Sequence, residues 1–509
     1  MLRRDFLKAL TALAATPAAA LADTTGLRVG GTATPFTAQT VAQRARTLAA
    51  KPYAPRTAVP AAWQNLSYDQ YRKIKFNAGN ALWQNTNRPQ RLDTFPTGLY
   101  FPQAVEINIV EDNTANQLIF DLDVFDTDDT LPDLPLDENV GYSGLRLRAD
   151  LLKNGQYTEY AVFQGASYFR GIGTGETYGL SARGLALKTG DPMGEEFPDF
   201  TALWVETPDP SDMSVTVHAL MDSPSCSGAF RFEITHGDVL DMEIEATLFA
   251  RNDLPHVGIA PLTSMFLFDA KDRARFSDFR PNVHDSDGLL IHNGGGEVIW
   301  RPLANPTTLQ ISAFGDHNPK GFGLMQRKRE FGDFNDLEAL YHNRPSVWIT
   351  PRGDWGAGAV TLVEIPTDLE IYDNIVAYWR PNTPILAGST HEMRYRLQWG
   401  ADPSPPAHDL LAVQNTAIGG RPEGGLVMVI DFDNGDAVPE NLNDIQIILR
   451  SSHGTTTPGI LQRNPETNGP RLAFTFDPQE SRYAEFRVQL RTSEAPLSEV
   501  WLYRWTKTT

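Results

Sequence analysis

Two acidic clusters set among aromatic residues are the groups in this chain best placed to do chemistry. One is Asp373-Asn374, inside Glu364 to Trp379, E-I-P-T-D-L-E-I-Y-D-N-I-V-A-Y-W; the other is His284-Asp285-Ser286-Asp287. In the second, acids two positions apart share a face of an extended chain, and crowding of their charges raises one carboxyl. Around these clusters lie Trp300, Asp316-His317-Asn318-Pro319, Tyr341, Arg344, Trp348, Trp355, Tyr372 and Trp379. Carboxylates, Arg and Asn bind sugar hydroxyls, aromatic faces stack on the apolar face of a sugar ring, and two carboxyl groups suffice to cleave a glycosidic bond. The pattern reads as a glycan site. Tyr372, Tyr378 and Trp379 are the neighbours that would desolvate Asp373 and hold its proton near neutral pH. Any single Asp in a β-rich acidic chain is more often a turn former or a cap, so composition alone leaves both readings open.

Other chemistries find little support. No H-E-x-x-H or paired-histidine spacing occurs among the ten histidines, and no G-x-S-x-G is present. The Gly-rich pieces Gly171-Ile172-Gly173-Thr174-Gly175 and Gly294-Gly295-Gly296 lack the Lys-Ser/Thr of a phosphate loop and read as hairpin turns. Asp121 to Glu138 is acidic and proline-broken but fits no calcium loop, so it reads as a solvated charged loop. No metal or cofactor is implied. A formal charge of −19 and a pI near 5.0 repel nucleic acid and acidic membrane surfaces, which leaves a neutral or cationic ligand. The single cysteine, Cys226, excludes an internal disulfide and reads as a small buried hydrophobe.

The elements that must position these acids are mostly strands, and the fold class read here is all-β. Val105-Glu106-Ile107-Asn108-Ile109, Ser214 to His218 and Phe230 to Ile234 alternate as half-buried strands do, with Gly, Pro and Asn between them. Two helices precede them. Thr37 to Ala50 carries Val41, Ala45 and Leu48 on one face before Pro52, and Ser67-Tyr68-Asp69-Gln70 has the form of a capping box. Gly400 to His408, G-A-D-P-S-P-P-A-H, sustains neither helix nor central strand and reads as a linker at 401–409. It divides a large β domain, 23–400, from short strands in 410–509 that suit a small sandwich of immunoglobulin size. At the start, Arg3-Arg4-Asp5-Phe6-Leu7-Lys8, an apolar run and Ala20-Leu21-Ala22 resemble a twin-arginine export signal over residues 1–22, and hence a periplasmic protein.

Several long strings carry a family resemblance. They are Gly165 to Arg170 (G-A-S-Y-F-R), Tyr178 to Ala186 (Y-G-L-S-A-R-G-L-A), Glu196 to Phe200, Gly258 to Phe266 (G-I-A-P-L-T-S-M-F), Asn318 to Leu324 and Asp373-Asn374-Ile375-Val376. From about Leu66 to Trp505 the chain resembles the periplasmic glucan biosynthesis proteins G and D, which act on osmoregulated periplasmic β-1,2-glucans. That resemblance implies a galactose-mutarotase-like β-sandwich followed by an immunoglobulin-like one, and inverting cleavage of β-1,2-glucan. It implies Asp373 as general acid and Asp285 as the base-side carboxylate, with Tyr341 and Arg344 lining the cleft. Asp287, His284, Asn374, Trp355 and Trp379 are further candidate glucan-binding residues.

One departure stands out. D-type members carry a longer Trp-rich loop after the linker, whereas Asn415 to Gly425 here reads N-T-A-I-G-G-R-P-E-G-G, a short loop. Transfer to an acceptor sugar, including ring closure, is therefore one alternative to hydrolysis. A non-catalytic glucan-binding scaffold for a membrane glucan synthase is another. Whether two subunits pair across the cleft is left open by the sequence.

Overall fold

The computed structural model describes residues 26–403, 405 and 408–507; the expected export signal at 1–22, and part of the expected linker, lie outside them. Two large sheets form the body. A fifteen-stranded sheet has at its middle Asp199–Glu206, Ser214–Asp222, Cys226–Thr235, Leu240–Ala250 and Thr390–Gly400, each antiparallel to the next. These strands alternate as the sequence does: Phe230, Phe232 and Ile234 are buried, while Arg231 and Glu233 point away from the core. A ten-stranded sheet packs over this one. In spatial order its path includes Ala357–Glu364, Ile375–Pro381, Val257–Ser264, Ser181–Arg183, Tyr168–Gly171 and Thr158–Gln164.

Aromatic rings weld the two layers. Phe169 of the smaller sheet meets Phe232 at 5.0 Å and Trp399 at 5.9 Å, both from the larger, in edge-on arrangements. Because successive side chains in a strand point to opposite faces, burial of Phe169 turns Tyr168 and Arg170 outward. The helix Ala38–Ala49, begun by Thr37, lays Val41 and Ala45 on the far face of the larger sheet, against Trp204, Leu220 and Phe249. The capping box at Ser67 is present, with Ser67 accepting from the Gln70 amide and Gln70 from the Ser67 amide.

The C-terminal strands form two layers about a core that includes Met428, Ile430, Phe474, Phe486 and Trp501 and runs on into Leu290, Val298, Trp300, Met325 and Trp348 of the body. One layer is a five-stranded sheet that contains Val413–Gly420, Leu426–Phe432 and Pro470–Asp477. The other layer is continuous with the fifteen-stranded sheet, because Val500–Thr506 pairs in parallel with Val298–Pro302 through Ile299↔Val500 and Trp300↔Trp501. The segment read as a short loop, Asn415 to Gly425, is largely strand. Only 421–425 turn, so the alternating residues before them complete a hairpin rather than a free loop.

An ion pair locks this junction. Both carboxylate oxygens of Glu499 accept from the Arg327 guanidinium, at 2.9 and 2.6 Å, and Glu499 also accepts from the Val413 amide at 2.9 Å. The Arg327 guanidinium lies over the Trp300 ring, 3.6 Å from its centre. Glu499→Ala would leave a part-buried guanidinium without its carboxylate and the Val413 N–H without an acceptor. We expect it to destabilise the protein by about 3–5 kcal/mol, read as a lower midpoint in urea unfolding, and a loss under about 1 kcal/mol would show that the pair is not a structural lock.

Candidate active site

The segment Met265–Phe266 holds both acids. The Met265 carbonyl accepts from the Asp285 amide at 2.8 Å. Next along the chain, the Phe266 amide donates to Asn374 Oδ1 at 2.8 Å, and the Phe266 carbonyl accepts from Asn374 Nδ2 at 2.9 Å. A third bond from Asn374 Nδ2 reaches the Ile365 carbonyl at 3.1 Å. Asn374 is therefore a buried brace rather than a sugar contact. Phe266 also pairs with His284, so the frame runs without a break from Asp373, through Asn374, to Asp285.

Asp285 is buried, and its carboxylate is paired with the Arg344 guanidinium. Burial raises its carboxyl most; Arg344 pulls it down, the charge of Asp373 pushes it up, and the balance moves it from 3.8 to about 6. Asp373 differs. It is exposed, yet loss of bulk water is the leading cause of a raised carboxyl, opposed by Arg170, Arg183 and Arg344. Asp373 is thus open to solvent on one side and backed by protein on the other. No hydrogen bond joins Asp285 to Asp373 among the described residues, although each lies within reach of the other's field.

Arg344 also holds Tyr341 in place, its guanidinium 4.4 Å from the ring centre, and donates through Nε to the Ala339 carbonyl at 3.1 Å. The Tyr341 hydroxyl donates to Glu370 at 3.2 Å, and its ring packs on Phe334. Tyr341 is thus a buried wall of the site.

The remaining candidates fall elsewhere. Asp287 does not crowd Asp285: its Oδ2 accepts from the amides of Arg327 and Lys328, at 3.1 and 3.3 Å, and the charge that raises Asp285 is that of Asp373. The turn between Val283–His284 and Gly288–His292 breaks the extended geometry under which the two acids would share a face. His284 is fully buried between Phe266 and Phe334, and burial keeps it neutral. Trp379 points into the core, where it lies 6.2 Å from Trp355. Trp355 is fixed by the Arg394 carbonyl and by Asn318. Neither ring borders the acids. Tyr378 joins an apolar cluster with Val363 and Val376, and Tyr372 is exposed, so the aromatic neighbour of Asp373 is a different residue.

That neighbour is Tyr168, whose hydroxyl is raised by burial and also feels the charge of Asp373. Arg183, its cross-strand partner, stacks its guanidinium 4.9 Å from the Tyr168 ring centre and binds Thr263 at 2.8 Å and Glu195 at 2.5 Å. Arg170 is on the same outer face and has no ion pair among the described residues. Alternation around Phe169 was the signal for these residues, because it sets Tyr168 and Arg170 together on the face opposite the core.

Over residues 36–505 the chain matches the family described as "Periplasmic glucan biosynthesis protein, MdoG". It belongs to that family. Among its relatives, glucans biosynthesis protein G of Vibrio cholerae serotype O1 is 48% identical over 478 residues, covering 92% of this chain and 87% of the relative. The same-named protein of Shewanella sp. strain MR-4 is 46% identical over 476 residues, with the same two coverages. A solved polysaccharide lyase is 12% identical with a TM-score of 0.24, covering 72% of this chain and 45% of its own. Membership of the MdoG family gives the chain a role in periplasmic glucan biosynthesis, and no helix among the described residues is long and apolar enough to cross a membrane.

Two outcomes follow from this geometry. Arg344→Met removes the cation that lowers Asp285, so its carboxyl should titrate above 6, visible by carbon-13 NMR of labelled aspartate; an unmoved carboxyl would contradict the pairing. Since the folded state binds this proton more tightly than the unfolded chain, the Asp285 contribution to stability is lost as pH rises from 3.8 to about 6. Asn374→Ala strands the Phe266 N–H and C=O in the interior and should cost about 1–3 kcal/mol in thermal unfolding. It should also lower any activity that depends on both acids.

Proposed function

We propose that the protein is an exported periplasmic glycoside hydrolase that cleaves β-1,2-glucan with inversion, Asp373 acting as general acid and Asp285 as the carboxylate on the water side. The observation that carries this reading is the pairing of unlike acids on one rigid frame. They are near enough for Asp373 to raise Asp285, yet no hydrogen bond joins them. Inversion asks for that arrangement: one carboxyl protonates the leaving oxygen while the other activates a water lodged between it and the sugar, at roughly 6.5–9.5 Å separation.

The environments support the roles. Asp373 is open to solvent, so a glycosidic oxygen can approach it, and loss of bulk water on its protein side favours its protonated form. Asp285 sits behind it with Arg344 holding the charged form, and a carboxyl near 6 is a competent base at neutral pH. Tyr168, Arg170 and Arg183 supply a ring face and guanidinium donors for sugar hydroxyls. Export by the twin-arginine route, from Arg3-Arg4, belongs to the same reading.

Purified protein incubated with linear β-1,2-glucan tests it. Shorter reducing fragments are expected, and Asp373→Asn should cut turnover about 10²–10⁴-fold while the fold is retained. Cyclic or lengthened products would replace hydrolysis by transfer, and unchanged glucan would leave a binding protein that supports a membrane synthase. Wild-type turnover by Asp373→Asn would overturn the acid assignment.

A further inference from the structure

The loop that delivers Asp373 has an outer side that the proposed chemistry does not use. Pro366 to Leu369 and Tyr372 line a cavity of about 520 Å³ together with Arg275 and Thr307. The same Arg275 and Thr307 also line a second, less open cavity of about 280 Å³. Its other walls come from two parts of the fold. Asp272, Asn305 and Gln310 belong to the body, whereas Tyr503, Trp505 and the hairpin end Ile418–Gly420 belong to the C-terminal strands. Arg275 and Thr307, common to both, set the two cavities side by side, one reaching Tyr372 beside Asp373 and the other the C-terminal layer.

The second cavity offers what a neutral, hydroxyl-rich ligand needs. Neither the Trp505 indole N–H nor the Tyr503 hydroxyl has a hydrogen-bond partner among the described residues, although both rings line it. Gln310 donates to Thr506 at 3.2 Å and is almost fully buried, so its amide is held in a fixed orientation at the wall. Lys271 is neutralised by Asp269, which leaves Asp272 as the carboxyl on this side. Burial, with Asp269 adding to it, pushes Asp272 up to about 7, so near neutral pH it can donate as well as accept. Rings, a carboxyl, an amide and the Arg275 guanidinium converge on one concave site without a surplus of charge that would demand an ion.

We propose that this cavity is a second glucan-binding site, in which Trp505, Tyr503, Gln310 and Asp272 hold the part of a long chain that leaves the cleft past Tyr372. The inference rests on the hydrolase reading for the direction of the chain. It gives the C-terminal strands a direct part in handling substrate.

Two variants test the site. Trp505→Ala removes a ring that also packs on Phe476, so Gly420→Trp serves as the second. An added Cβ at Gly420 meets nothing within 4 Å and needs no left-handed backbone, so a bulky ring is tolerated at this edge of the cavity and narrows it without altering the aromatic wall. With Asp373→Asn as background, calorimetry should show each variant weakening binding of long linear β-1,2-glucan about tenfold more than binding of short oligomers. On the active protein, KM for long glucan relative to short should rise by a similar factor. Equal effects on long and short chains, or none, would overturn the second site. Unchanged linear glucan after incubation with the active protein would instead overturn the hydrolase reading, while the binding measurement would still decide the second site.

Discussion

Everything at the candidate site depends on the backbone of Met265 and Phe266. One residue fixes Asp285 through its carbonyl, and the next fixes Asn374 through both its amide and its carbonyl. Asn374 satisfies this pair fully, because a primary amide presents one acceptor and two donors. No other short side chain could accept from Phe266 while donating to two carbonyls. Two carboxyl groups far apart in sequence are thereby held at a separation that neither loop could set alone. The segment is itself stiff: Phe266 stacks on His284 at 5.3 Å, and both are buried.

On that frame the two acids are separated by environment rather than by type. A carboxyl loses solvation on burial, and its ionised form survives only with a compensating cation. Arg344 does this for Asp285 by direct contact, while the fields of Arg170, Arg183 and Arg344 act on the more open Asp373. One guanidinium therefore acts on both carboxyls, and its own position is fixed by the Tyr341 ring and the Ala339 carbonyl. The loop 172–180 closes over it. Gly179 lies against the Arg344 stem, where an added Cβ would come within 3.0 Å of it, so the absence of a side chain there keeps the cation where it is.

The parts of this arrangement that local pattern determines were legible in the sequence. The Thr37 helix, the Ser67 capping box and the alternating strand at Phe230 to Ile234 formed as read, because each depends on residues within a few positions of one another, whereas the strand Glu106–Glu111 formed but is buried on both faces, Asn108 included. Trp379 shows where local pattern stops. It follows Asp373 closely in sequence, but the strand begins only at Ile375, and from there Ile375, Ala377 and Trp379 turn inward while Val376 and Tyr378 turn outward. A loop residue does not share the parity of the strand it enters, so nearness in sequence said nothing about facing the acid. Asp287 turns away from Asp285 for a different reason, its side chain being claimed by the amides of Arg327 and Lys328, far along the chain. The parallel pairing of Ile299 with Val500 joins distant segments, and no periodicity reports such a contact. The family strings named segments without saying which of their residues face out. Tyr168, Arg170 and Arg183 needed the sheet to show that.

The continuity of the large sheet alters what the C-terminal strands can do. A small sandwich on a flexible tether would sit at no fixed place relative to the cleft. Here backbone hydrogen bonds carry one layer directly into the body, and Arg327, pressed on Trp300 and held by Glu499, locks the junction beside Asp287. The hairpin end at Ile418–Gly420 and the strand end at Tyr503 and Trp505 are consequently fixed against the loops that carry Asp272 and Thr307. A surface assembled from two layers keeps its shape only if the layers cannot slide, and antiparallel and parallel ladders resist sliding because a slip of one residue reverses every side chain. Under the proposed function, that rigidity would keep the second site at a fixed distance from Asp373, so a polymer held at both would present a defined bond to the acid.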